Sequence, residues 1–277
     1  MKVTGFISAS LFAAGIVLTP IVAFAGATLD RVMAEKQLVM SSDPAYPPQS
    51  FLNDNNEMDG FDVDVGREIA KRLGVELKII TPAWEVITAG NWQGRWDMSV
   101  GSMTPTTQRA EVLDFPAIYY YVPAAFAVHK DSSAQSLADL NGKTIGVCGG
   151  CTYEAYLNKN LVIDAVGTPE FTYDVDAGEI RSYETDTNAF DDLRLGDGTR
   201  LDAVMSALPT IMEAIKNNYP LRVVGEPGFY EPLAVATDKG DDEFNAKIAE
   251  AVQAMHDDGT LAALSEKWYG VDYTTVK

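Results

Sequence analysis

Soft metal ligands and redox groups are scarce in this chain of 277 residues, which holds two cysteines and two histidines. His129 and His256 stand apart from each other and from the cysteines, so a zinc site is not expected. Basic residues are also sparse, 21 Lys and Arg against 40 Asp and Glu, for a formal net charge of −19. A surface of that sign repels phosphate backbones and anionic lipid, which argues against nucleic acid or a membrane surface as partner. No phosphate-cradling loop, G-x-S-x-G elbow or H-E-x-x-H helix occurs. Residues 54–59 begin like a calcium loop, but Asp59 stands where the glycine is required and Val65 where the closing Glu belongs. Internal repeats and low-complexity segments are absent as well, and no cofactor is implied.

One long apolar run is present, at the N-terminus. Lys2 precedes an apolar stretch over residues 6–22, and Ala23-Phe24-Ala25 offers a small-residue cleavage site before Gly26. This pattern predicts a signal peptide over residues 1–25 and a mature protein free in the periplasm. No cysteine follows the predicted cut, so a lipid anchor is not expected.

The remaining residues alternate between helical and strand periods, the mark of an α/β protein. Leu38-Val39-Met40 reads as a buried strand, and Val65, Ile69 and Leu73 recur at helical spacing up to Gly74. Val75, Leu77 and Ile79 alternate as a strand, and Thr144-Ile145-Gly146-Val147 is another that runs into a helix from Thr152. Phe244, Ile248, Val252 and Met255 form one helix face ending at Gly259, after which Thr260 is expected to cap a last helix. Two Pro-punctuated stretches, around residues 119–123 and 226–232, suggest that the chain passes twice between two lobes. Lobe one would comprise residues 26–122 and 229–277, and lobe two residues 123–228. Two crossovers between the same lobes make a hinge.

Several segments resemble the polar amino-acid-binding proteins of ABC transporters, bacterial extracellular solute-binding protein family 3. Phe61-Asp62-Val63-Asp64-Val65 resembles the family's "GFDxD" signature. Ser42-Asp43-Pro44-Ala45-Tyr46-Pro47-Pro48, Thr104-Pro105-Thr106-Thr107-Gln108-Arg109, the stretch over residues 137–147 and Trp268-Tyr269-Gly270 follow in the family's order. The resemblance spans nearly all of the chain after the leader. It implies a periplasmic-binding-protein type II fold, two α/β lobes joined by a two-crossover hinge. It also implies a non-enzymatic, monomeric protein that closes on a small carboxylate-bearing ligand and delivers it to an ABC permease.

Carried onto this sequence, the resemblance makes Arg109 the grip on the ligand carboxylate. A guanidinium suits that role because its planar fork forms two parallel hydrogen bonds to a carboxylate. Taken alone, the same residue reads as a surface Arg at a helix start. Thr152 sits at a strand–glycine–helix junction, where unpaired N–H groups favour an anion; the alternative is a plain N-cap. Tyr46 and Trp84 match aromatic walls of the family site, although either alone reads as core packing. Asp43, Ser102 and Thr104 fill its polar positions, and Gly101 and Ser102 would present backbone groups. Asp62 and Asp64 read as solvated or helix-capping.

One departure stands out. Family members carry an Asp for the ligand's ammonium after the strand Leu201-Asp202-Ala203-Val204-Met205-Ser206-Ala207, and here that position is Ala207. A buried ammonium without a carboxylate is costly. Asp43, Ser206 or Glu231 would then take over, or the ligand's amine is substituted or absent.

Cys148-Gly149-Gly150-Cys151 lies between a strand and a helix. A local disulfide is its expected state in an oxidising periplasm, stiffening the anion loop, with a thioredoxin-type dithiol as the alternative. Two rival functions remain: a dehydratase of the same fold, with Glu231 or Asp43 as general acid, and an accessory protein of a periplasmic quinoprotein dehydrogenase.

Overall fold

The computed structural model describes Met1 and residues 26–275. The expected signal peptide, apart from Met1, lies outside the described residues. The chain opens with α1 (Ala27–Glu35), β1 (Gln37–Ser41) and a small antiparallel sheet of β2 (Ala45–Tyr46), β3 (Ser50–Leu52) and β4 (Met58–Asp59). There follow α2 (Phe61–Leu73), β5 (Glu76–Ile80), α3 (Trp84–Thr88), β6 (Met98–Met103), α4 (Thr107–Ala110) and the long β7 (Leu113–His129). Next come β8 (Thr144–Cys148), α5 (Thr152–Leu157), β9 (Glu179–Tyr183), α6 (Asp186–Leu193), β10 (Ala203–Ala207) and α7 (Leu208–Lys216). A second long strand, β11 (Leu221–Asp238), leads to α8 (Asp242–Asp257) and α9 (Thr260–Tyr269).

Local chemistry accounts for these elements. In α2, Phe61, Val65, Ile69 and Leu73 recur every four residues and are all buried, each contributing roughly 1.5–3 kcal/mol by leaving water. Gly74 ends that helix at φ 69°, where its N–H reaches the carbonyls of Ala70 and Lys71. At α9 the expectation shifts by one residue. Gly259 is the N-cap and Thr260 the first helical residue, and the Asp258 carboxylate accepts both the Thr260 N–H (3.0 Å) and its hydroxyl (2.6 Å).

The eight main strands run in the order β5-β1-β6-β11-β7-β10-β8-β9. On one side β5, β1 and β6 are parallel, and on the other β10, β8 and β9 are parallel. Between them β7 and β11 pair antiparallel along most of their length. The two stretches that suggested passages between lobes are therefore interior to the two long strands, β7 and β11. Strand β7 passes through Pro116 and Pro123 without ending, and β11 loses register between Val224 and Phe229 before pairing Tyr230 with Pro123 and Glu231 with Val122. Proline removes a hydrogen bond but need not end a strand beside an irregular partner. This order directs the carboxyl ends of both parallel sets toward one shared crevice, where open α/β sheets bind ligands.

Candidate functional site

A narrow cleft occupies that crevice. From the β1/β6 side it is lined by Asp43, Tyr46, Trp84, Gly101, Ser102, Thr104 and Arg109. Cys148, Cys151, Thr152, Tyr153, Glu184, Thr185 and Asp186 line it from the β8/β9 side, and Glu231 enters from β11. Of the residues expected from sequence, Ser206 is absent from this lining. It is fully buried on β10, beside Asp186. The two sides touch across the cleft: the hydroxyls of Tyr46 and Tyr153 lie 3.2 Å apart, and the Gln49 amide donates to Thr210 Oγ1 at 3.1 Å.

Arg109 is held by short-range geometry. Thr106 caps α4 by accepting the Arg109 N–H, which fixes the residue at the cleft wall. One guanidinium nitrogen donates to the Thr104 carbonyl at 3.0 Å, and another crosses to the Gly150 carbonyl at 3.0 Å. Its carbon lies 5.3 Å from the Trp84 ring centre. Arg109 is 8 % exposed, so the reading as a surface residue is excluded. Burial lowers its pKa to about 10, with Glu231 opposing the shift. It remains a buried cation with two carbonyl partners and, among the described residues, no ion pair. Such a group is costly unless an anion joins it.

Thr152 is not the plain N-cap of its alternative reading. Cys151 occupies the N-cap of α5, and the Thr152 hydroxyl donates instead to Glu231 Oε1. Thr104 donates to the same oxygen at 2.8 Å, and the Tyr153 hydroxyl to Glu231 Oε2 at 2.9 Å. Burial raises the Glu231 pKa, while these three hydroxyls and Arg109 work against the rise. An internal carboxylate thus already occupies the hydroxyls that were expected to meet a ligand.

Ser102 lines the cleft, but its polar groups have partners within the protein. Its backbone sits at φ 53°, a conformation that a non-glycine residue keeps only when its surroundings hold it. Its N–H donates to the Tyr119 hydroxyl at 2.9 Å and its own hydroxyl to Asp62 Oδ2 at 2.7 Å. Both groups are turned into the protein. Asp62 is fully buried, not solvated, whereas Asp64 is partly buried and accepts hydrogen bonds from Lys267 and from Trp268.

Sequence reasoning missed Tyr153, Glu184, Thr185 and Asp186. Their signal was available. Strand β9 pairs parallel with β8 from Thr144↔Glu179 to Cys148↔Tyr183, so Glu184 to Asp186 follow β9 just as residues 149–152 follow β8. Asp186 is 4 % exposed. Burial pushes its carboxyl up to about 7, Ser206 opposing and Asp43 and Glu231 adding to the shift. Asp186 Oδ1 and Ser206 Oγ are buried with no hydrogen-bond partner among the described residues. The Asp43 carboxylate accepts the Ala45 N–H at 2.8 Å, and burial raises its pKa as well.

Cys148 and Cys151 form a disulfide with a Cα–Cα separation of 5.5 Å. It closes the loop whose Gly150 carbonyl receives Arg109.

Two parallel strand sets that share long antiparallel crossing strands, with a buried cation and several acids in the crevice, define a two-lobed solute-binding protein of the periplasmic-binding-protein type II fold. The chain belongs to the bacterial extracellular solute-binding proteins, family 3, whose model matches residues 38–271. It is 30 % identical over 249 residues to the L-cystine-binding protein TcyJ of Escherichia coli K12, covering 89 % of this chain and 87 % of that one. An L-arginine-binding protein of Pseudomonas aeruginosa is 26 % identical, covering 88 % and 92 %. Among solved structures, the ancestral amino acid-binding protein AncCDT-1, a precursor of cyclohexadienyl dehydratase, aligns with TM-score 0.75 and 30 % identity, covering 88 % of this chain and all (100 %) of that one. No helix among the described residues is long and apolar enough to cross a membrane.

Proposed function

We propose that this chain is a periplasmic binding protein that captures a small amino-acid-like zwitterion between lobes 26–122/229–277 and 123–228 and delivers it to an ABC permease. The observation that carries the proposal is Arg109, a buried guanidinium that spans the cleft and, among the described residues, forms no ion pair, Glu231 acting on it without a direct contact. A ligand carboxylate completes its coordination. Because Arg109 already reaches the Gly150 carbonyl on the facing side, a ligand held there contacts both lobes and favours their closed arrangement. Trp84 and Tyr46 supply the apolar walls. The amino-acid ligands named for the relatives agree with this reading.

The test is a thermal-shift and calorimetric panel of amino acids, opines, betaines and simple carboxylates against the mature protein, beside Arg109→Ala. One ligand class should raise the melting temperature. The variant should lose about 100-fold or more in affinity, as expected when a charged hydrogen-bonding pair is broken. Binding retained by Arg109→Ala refutes the carboxylate grip.

A second reading is favoured by one observation. Glu231 is a buried carboxyl of raised pKa beside Arg109, as a general acid requires, and the chain is similar to a dehydratase precursor. Aromatic product formed on incubation with prephenate or arogenate, and lost in Glu231→Gln, would establish an enzyme. No response to any ligand in the panel would instead favour the accessory-protein role.

A further inference from the structure

The ammonium end of the ligand lacks its usual partner, since position 207 is a fully buried alanine. We propose that Asp186, at the first turn of α6 and backed by Ser206, is the relocated anchor for the ligand's α-ammonium. This inference rests on the amino-acid reading of the cleft and adds the residue that would select the amine.

Four acids line the cleft, and their burial and existing partners separate them. Glu184 is exposed to solvent, where a carboxylate needs no donor from a ligand. Glu231 has both oxygens engaged, Oε1 by Thr104 and Thr152 and Oε2 by Tyr153. Asp43 is only partly buried and binds the backbone of its own turn. Asp186 lines the cleft and is 4 % exposed, yet its Oδ1 has no hydrogen-bond partner among the described residues. Buried polar atoms in folded proteins almost always have one, so an unpartnered carboxylate oxygen facing a cleft points to a donor that arrives with the ligand. An ammonium supplies three N–H donors and a compensating charge. Ser206 Oγ, also buried, approaches this carboxylate closely enough to ease its charge but, among the described residues, completes no full hydrogen bond, and it can accept a second of those protons.

The position also suits closure. Asp186 begins the helix whose next residue, Thr187, donates its hydroxyl to the Ala45 carbonyl on the facing side at 3.3 Å. An ammonium held by Asp186 therefore lies where the two sides meet, as the carboxylate held by Arg109 does. The anchor has moved from the end of β10 to the end of β9, and the site keeps one cation with acids around it. That balance selects zwitterionic or cationic amino acids and rejects acidic ones.

The experiment compares each amino acid with its counterpart lacking the α-amine. L-Arginine is paired with 5-guanidinopentanoic acid and L-cystine with 3,3′-dithiodipropionic acid, by calorimetry on the wild type, Asp186→Asn, Asp186→Glu and Glu231→Gln. The wild type should bind at least one amino acid about 10- to 100-fold more tightly than its deaminated partner, the span expected for a charge-assisted buried hydrogen bond. Asp186→Asn should reduce that ratio to near one by weakening only the amino acid, whereas Glu231→Gln should leave the ratio in place. Asp186→Glu, which keeps the charge, should lower the ratio severalfold and serves if the Asn variant does not fold. Discrimination retained in both Asp186 variants overturns the anchor and leaves the carboxylate grip standing. Loss of discrimination in Glu231→Gln alone moves the anchor to Glu231. Binding of neither amino acid by the wild type overturns the amino-acid reading, and the anchor with it.

Discussion

Asp62 and Asp186 begin helices on opposite sides of the cleft, and both are almost wholly buried. Burial pushes each carboxyl up to about 7. Their hydrogen bonds nevertheless differ. Asp62 accepts the Ser102 hydroxyl on one oxygen and the Tyr119 hydroxyl on the other, both at 2.7 Å. Asp186 keeps one oxygen unpartnered and lines the cleft. A perturbed pKa is shared by structural and functional acids; the count of satisfied lone pairs is what separates them here. Asp62 organises a strained strand end, whereas Asp186 awaits a donor from outside the chain.

The largest effect should come from the structural member. Asp62→Ala leaves the hydroxyls of Ser102 and Tyr119 without an acceptor and removes the support for the left-handed Ser102. We expect a loss of about 3 kcal/mol, the scale on which a buried polar network is broken, read as a fall in the urea midpoint at constant slope. Asp186→Ala should change ligand-free stability far less. Equal losses in the two variants would erase the distinction.

The two acids should also separate in their pH dependence. In each, the folded pKa of about 7 lies above the unfolded value of about 4. Between those values the folded state binds more protons, so stability is greatest at the acid end and falls as pH rises toward 7, by at most about 1.4 kcal/mol per pH unit for each group. Glu231 and Asp43, also raised, act in the same direction. A bound ammonium draws the Asp186 pKa down and removes its part of the slope, leaving that of Asp62. Melting curves at pH 5, 6, 7 and 8 with and without saturating L-arginine measure this. An unchanged slope despite binding would mean that no cation reaches Asp186.

How much of this was legible follows from which interactions are local. The periodicity of residues 65, 69 and 73 and the glycine at 74 prescribe α2 without tertiary information, and α2 forms over Phe61–Leu73. Arg109 was legible because a motif marks it. Ser102 lines the cleft as expected, but its hydroxyl is claimed by Asp62, 40 positions away, a competition that no local pattern records. The two Pro-punctuated stretches lie inside long strands, β7 continuing through Pro116 and Pro123, and no local pattern gives the length of either strand. Asp186 was missed for a different reason. The family resemblance points to the end of β10 for the carboxylate, and only the pairing of β9 beside β8 shows that a neighbouring strand end offers another.

The smallest effect is the most diagnostic. If Asp186 is kept for a ligand, its ligand-free carboxylate is a burden at alkaline pH, desolvated and near Asp43 and Glu231. Asparagine removes the charge and supplies N–H donors to Ser206 Oγ, which completes no full hydrogen bond among the described residues. Asp186→Asn should therefore be neutral or more stable by up to about 1 kcal/mol at pH 8, the worth of one ordinary hydrogen bond plus relief of the charge. At pH 5 the wild-type carboxyl is already protonated, and the gain should vanish. A variant that is stabilised at pH 8 while losing its preference for the amine would show stability given up for binding at a single residue. A loss of more than 1 kcal/mol at pH 8 would instead give Asp186 internal partners, and make it a second Asp62.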